Sequence, residues 1–137
     1  QVYEDTGESF RENQSYFIKG IQVESGEISC EITVPQEVKR VRLDPGSRSC
    51  AIKLREITFQ GKALPLRDEK MVVVNGTRLK GSDVVLFDTE DPNITIDLTK
   101  IQRAETEEAA VLTFRARVDI MSVEMTEELI RAKRPFF

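Results

Sequence analysis

At 137 residues, with 39% apolar and 32% charged side chains, the chain has the size and make-up of one ordinary globular domain. No apolar run approaches the ~18 residues of a spanning helix and no charged-then-apolar leader opens the chain, so direct membrane insertion is not expected. The net charge of −4 is uneven, −5 over residues 1–34, +4 over 35–70, −4 over 71–108 and +1 over 109–137; an acidic total argues against nucleic acid as a partner, because phosphate neutralisation needs a concentrated basic surface.

Taken in chain order, the expected elements are strands. Tyr16–Val23 opens the series. Glu27–Val34 follows, with Ile28, Cys30, Ile32 and Val34 on one face against Glu27, Ser29, Glu31 and Thr33. This period-two alternation is the mark of a strand with one buried face. Arg40–Asp44 comes next, then Cys50–Phe59, whose apolar set changes parity between Cys50, Ile52 and Leu54 and the later pair Ile57 and Phe59. A β-bulge at Arg55–Glu56 restores both sets to the core. Met71–Val74, Asp83–Phe87 and Asn93–Leu98 lead to the longest run, where Leu112, Phe114, Ala116, Val118 and Ile120 oppose Thr113, Arg115, Arg117 and Asp119. Turn dipeptides separate the strands at Ser25-Gly26, Asp44-Pro45-Gly46, Gln60-Gly61, Asn75-Gly76 and Asp91-Pro92-Asn93. One helix is expected at Thr126–Arg134, capped by Thr126 and stopped by Pro135. Alternation with one wet face suits antiparallel sheets. The expected fold class is all-β, an antiparallel β-sandwich or jelly roll with one short C-terminal helix, forming a single domain over residues 1–137.

The chain contains no histidine. Ser-His and Cys-His nucleophile pairs and imidazole zinc sites are therefore excluded, and two cysteines are too few for an all-thiolate one. No phosphate-cradling glycine loop or dinucleotide fingerprint appears. Carboxylates are plentiful, but nothing selects a catalytic pair among them, so no catalytic residue is assigned. Cys30 and Cys50 both fall on buried faces, which leaves two states open: free thiols acting as small hydrophobes, or a disulfide in an oxidising compartment.

Several groups are candidate ligand sites. Arg40 and Arg42 oppose Val41 and Leu43 in parity, and Lys53 and Arg55 oppose Ile52 and Leu54. If those two strands pair, the four cations form one exposed patch for an acidic polysaccharide, a phosphate or a neighbouring domain's carboxylates. The plainer readings are a solvated sheet face for the basic segment and, for these four side chains, cross-strand pairing with acids of the sheet. Tyr3 and Tyr16 offer an aromatic platform for a sugar, or else belong to the core. Asp88, Glu90, Asp91 and Asn93 gather oxygen ligands in one segment, which suits a structural calcium ion as well as an acidic turn. Otherwise no cofactor is expected. Asn13, Asn75 and Asn93 all begin Asn-x-Ser/Thr acceptor triplets, though Asn-Gly and Pro-Asn are also ordinary turn dipeptides.

The stretch Val41-Arg42-Leu43-Asp44-Pro45-Gly46, followed by Ile52-Lys53-Leu54-Arg55-Glu56-Ile57-Thr58-Phe59-Gln60-Gly61-Lys62, carries a resemblance. It resembles an accessory, galactose-binding-like β-sandwich module found beside catalytic domains in bacterial surface-polysaccharide glycosyltransferases, including rhamnan-synthesis-type proteins. The match covers about twenty residues, with Arg42 and Asp44 on the family's Arg-x-Asp-Pro motif; the remainder matches only by strand pattern. The resemblance implies a non-catalytic module that binds glycan or packs on a neighbouring catalytic domain of the same chain. It implies a cytoplasmic setting, membrane-associated through the parent protein. The first residue, Gln1 rather than Met, fits a piece of something longer. The alternative is a secreted adhesion or receptor-type glycoprotein domain, which would be extracellular, disulfide-linked and glycosylated.

Overall fold

The computed structural model describes residues 1–7, 15–16, 21–22, 26–103 and 109–133. Its strands in chain order are β1 (Val2–Asp5), β2 (Ser15–Tyr16), β3 (Ile21–Gln22), β4 (Glu27–Pro35), β5 (Arg40–Leu43) and β6 (Cys50–Phe59). They continue as β7 (Lys62–Ala63), β8 (Val72–Val74), β9 (Thr77–Arg78), β10 (Val84–Phe87), β11 (Ile94–Asp97) and β12 (Ala109–Ile120). A 3-10 turn covers Leu98–Lys100, and the helix α1 covers Val123–Lys133. The strands form two sheets, one ordered β2-β1-β5-β11-β8 and the other β3-β4-β12-β6-β10-β9, with β7 paired to β6. Every pairing is antiparallel. The chain is an all-β sandwich.

The alternating apolar positions close this sandwich. Val41, Leu43, Ile94 and Ile96 from the first sheet meet Ile32, Val34, Ile52, Leu54, Ile57, Phe59, Leu112 and Phe114 from the second, all buried in one core. Non-directional burial of apolar area is the main drive for that closure. The bulge lies where the parity change requires it. Leu54 faces Ala116 and Glu56 faces Arg115, so Arg55 is the extra residue and both apolar sets of β6 reach the core. The β6–β7 hairpin turns through Gln60 and Gly61, with φ of 54° and 77°, and Phe59 paired to Lys62. Positive φ at both central residues is the hairpin turn whose twist matches its strands.

One expectation needs correction. The helix starts earlier than expected, because Ser122 and not Thr126 caps it. The Ser122 Oγ accepts from the Met125 N–H at 3.2 Å, while Thr126 is buried and donates its hydroxyl to the Ser122 carbonyl at 2.8 Å. Thr126 and Ile130 are drawn inward because α1 lies over β6 and β10 on the outer face of the second sheet, where Leu86 is also buried. Of the expected Tyr16–Val23 strand, Tyr16 and Ile21–Gln22 are in strands, and 17–20 and 23 lie outside the described residues. Strand β1 was not expected.

Candidate functional site

The register of the first sheet brings its outer face together row by row. Tyr3 on β1 lies opposite Arg42 on β5, and Arg42 lies opposite Thr95 on β11. The Arg42 guanidinium carbon sits 4.1 Å from the centroid of the Tyr3 ring, a cation–π stack. The same guanidinium forks onto Asp44, Nε to Oδ1 at 2.9 Å and Nη2 to Oδ2 at 3.0 Å. Such a bidentate pair fixes geometry as well as charge. Asp44 is fixed in turn by the main chain of Gln1, whose nitrogen donates to the Asp44 carbonyl at 2.8 Å and whose carbonyl accepts from the Asp44 N–H at 2.7 Å.

The opposite wall comes from the β10–β11 loop. Asn75 pins that loop: its Nδ2 donates to the Asp91 carbonyl at 2.8 Å, and its Oδ1 accepts from the Asn93 N–H at 2.8 Å. Glu90 and Asp91 are thereby held over the sheet, facing Tyr3, Arg42, Asp44 and the Pro45–Ser47 turn across a cleft of about 450 Å³. That volume is within the range of ligand clefts, roughly 300–1,000 Å³. Arg42 is neutralised by Asp44, and no partner among the described residues takes up the exposed Glu90 and Asp91 carboxylates. The cleft therefore has a negative balance, with hydrogen-bond acceptors in excess.

The structure gathers Tyr3, Arg42, Glu90 and Asp91 from the sequence candidates into this one place. It disperses the rest. Arg40 lies one row down the same face, its guanidinium on the buried Asp5 carboxylate, with Nε to Oδ2 at 2.7 Å. Lys53 and Arg55 lie on β6, in the other sheet and on its outer face, where Arg55 pairs with Glu27 at 2.8 Å. The expected four-cation patch is thus corrected: β5 and β6 do not pair, and the two halves face opposite sides of the sandwich. Tyr16 pairs through its main chain with Val2, and its side chain lies outside the described residues.

The residues of the calcium expectation are likewise spread apart. Among the described residues no three carboxylate, thiol or imidazole groups come together at ligating spacing. Asp88 is exposed, Asn93 is engaged with Asn75 and Asp91, and Glu90 and Asp91 line the cleft instead. Asn75 and Asn93 act as loop braces, in keeping with their reading as turn residues; Asn13 lies outside the described residues. Cys30 and Cys50 are free.

Sequence reasoning missed two residues of this region: Gln1 and Ser47 line the cleft without any pattern to mark them, whereas Asp44 stood beside Arg42 in the Arg-x-Asp-Pro stretch. Comparison with family models, with curated proteins and with solved structures finds no match. Among the described residues no helix is long and apolar enough to cross a membrane.

Proposed function

We propose that the chain is a non-catalytic glycan-binding module that takes a neutral sugar in the Tyr3–Arg42–Asp44 cleft. The observation that carries this reading is the cleft itself, in which an aromatic ring, a fork-bound Arg–Asp pair and two carboxylates without a partner among the described residues converge. Sugar hydroxyls are donors in search of acceptors, and C–H-rich sugar faces settle on aromatic rings. The negative balance disfavours an acidic polysaccharide at this place. The resemblance adds the setting, an accessory module of a cell-envelope polysaccharide glycosyltransferase. A neighbouring domain also has a surface to meet: Met125 and Leu129, at i and i+4 on α1, are exposed. The secreted adhesion-domain alternative loses its expected disulfide, since the two thiols are not adjacent.

Calorimetry with a panel of neutral mono- and oligosaccharides tests the reading. Binding is expected to fall at least about tenfold in Tyr3→Ala and to survive in Tyr3→Phe, which keeps the ring. A double Glu90→Gln, Asp91→Asn exchange, at exposed positions that hold up nothing else, is expected to weaken it severalfold. Heat evolved equally by wild type and Tyr3→Ala, or none from any neutral sugar, would overturn it.

A further inference from the structure

The turn that forms one lip of the cleft has a second recess on its other side. Pro45, Gly46 and Ser47 line both, and beyond them a niche of about 220 Å³ is walled by Arg48, Cys50, Val118 and Ile120. Its position follows from the fold. Segment 44–49 carries the chain from β5 in one sheet to β6 in the other, and here the end of β12 runs past it, Ile120 opposite Cys50 and Val118 opposite Ile52. The inward-facing row of β12 emerges at this open end, so Ile120 is 54% exposed although it belongs to the core parity.

We propose that this niche is a subsite for a single apolar substituent, up to the size of a phenyl ring, on a ligand whose polar body occupies the Tyr3–Arg42 cleft; the inference rests on the glycan reading. Size sets the first limit. A recess of 220 Å³ is too small for a whole ligand, whereas an apolar cavity of roughly 150 Å³ already accepts benzene. Chemistry sets the second. Pro45, Val118 and Ile120 offer only hydrocarbon, and the Cys50 thiol, pushed up to about 11 by burial, stays neutral. Arg48 is the one charged residue among those described at the niche. Continuity sets the third, because the shared Pro45–Ser47 turn lets one molecule reach both recesses over Gly46, where even an added Cβ would meet nothing within 4 Å.

Backbone-amide NMR on the whole chain tests this, with benzyl alcohol as the niche probe and methyl and benzyl β-glucosides as the paired ligands. Benzyl alcohol is expected to give saturable shifts at Cys50, Val118 and Ile120. These should vanish in Ile120→Glu, at a half-exposed position, and persist in Val111→Glu on the outer face of β12. The benzyl glucoside is expected to bind about tenfold tighter than the methyl glucoside, and to lose that advantage in Ile120→Glu. Shifts that persist in Ile120→Glu, no saturable shift at all, or equal affinity of the two glucosides would each overturn the subsite. Benzyl alcohol bound in the niche with no glucoside shift at Tyr3 or Arg42 would instead sink the glycan reading while keeping the apolar pocket.

Discussion

Gly76 shows how little room a single residue has against the neighbouring strand β10. A Cβ built on it would stand 2.6 Å from the Leu86 carbonyl oxygen, 2.8 Å from the Phe87 ring and 2.9 Å from the Val85 side chain. Backbone cannot yield as a flexible side chain can, so Gly76→Ala must push β9 away from β10. A loss of about 2–4 kcal/mol is expected in urea unfolding, and a loss below about 0.5 kcal/mol would contradict the packing. Glu4 is a second pressure point. It sits opposite Val41, whose side chain is in the core, and its Oε2 is buried without a partner among the described residues. Burial, and secondly the nearby Glu37 charge, raise its pKa above the usual carboxylate value of 4.5. The folded state therefore holds this proton more tightly than the unfolded chain does. That contribution is complete below 4.5 and is lost as the pH climbs through the folded value. Glu4→Gln should accordingly raise the unfolding midpoint at neutral pH, and the gain should shrink to nothing in acid. An equal gain at both pH values would point to packing and away from charge.

Arg103 does for an element what Gly76 does for a residue. Its guanidinium reaches four main-chain carbonyls around the β4–β5 connection: Nη1 to Gln36 at 3.2 Å and Val38 at 2.9 Å, Nη2 to Val34 at 3.2 Å and Pro35 at 3.1 Å. It also lies 5.1 Å from the Phe59 ring centroid, which ties that turn to β6. A lysine carries the charge but cannot span four acceptors with one compact ammonium. Arg103→Lys is therefore expected to lose nearly as much as Arg103→Ala, about 2–3 kcal/mol each in urea unfolding; full rescue by lysine would show that charge alone suffices. Arg78 plays a similar part at the edge strand β8, where its guanidinium takes the Val72 carbonyl and donates to Leu66 at 2.9 Å. The Val72 N–H goes to the Asp68 carbonyl at 2.8 Å, so both edge-facing groups of that residue are occupied, which blunts strand addition there. None of this was legible in the sequence, because an arginine that binds main-chain carbonyls leaves no pattern of side-chain types. The long strands were legible because each has three or more inward apolar residues in strict alternation. Strand β1 was not, since one of its two inward positions is Glu4. The helix start was misplaced because Ser122 and Thr126 are both competent caps, and only burial of Thr126 against the sheet decides between them.

At the scale of the whole molecule, the chain crossing at 44–49 decides what meets what. Sequence pattern assigns Arg42 and Lys53 each an outward direction, but outward from which sheet depends on whether consecutive strands pair. Here they do not, so a basic patch became two separate faces, and Tyr3 acquired Arg42 and the 88–91 loop as neighbours instead of further cations. The same placement settles the cysteines. Cys30 on β4 lies opposite Phe114, and Cys50 on β6 lies opposite Ile120, on the two sides of β12. The step from 114 to 120 along an antiparallel strand covers about 20 Å, and two strand spacings of about 4.8 Å are added across the sheet. A disulfide needs Cα atoms within about 7 Å. Joining these two would require β4 or β6 to leave β12, against the most extensive pairing in the second sheet. Protein purified and stored in air, without reductant, should therefore still yield two titratable thiols per chain once unfolded in guanidinium. Its intact mass should show no loss of two hydrogens, and reduction should leave the unfolding midpoint unchanged. An intramolecular Cys30–Cys50 link in the soluble, folded fraction would mean that β4 and β6 do not flank β12, and the strand order of the second sheet would fall with it.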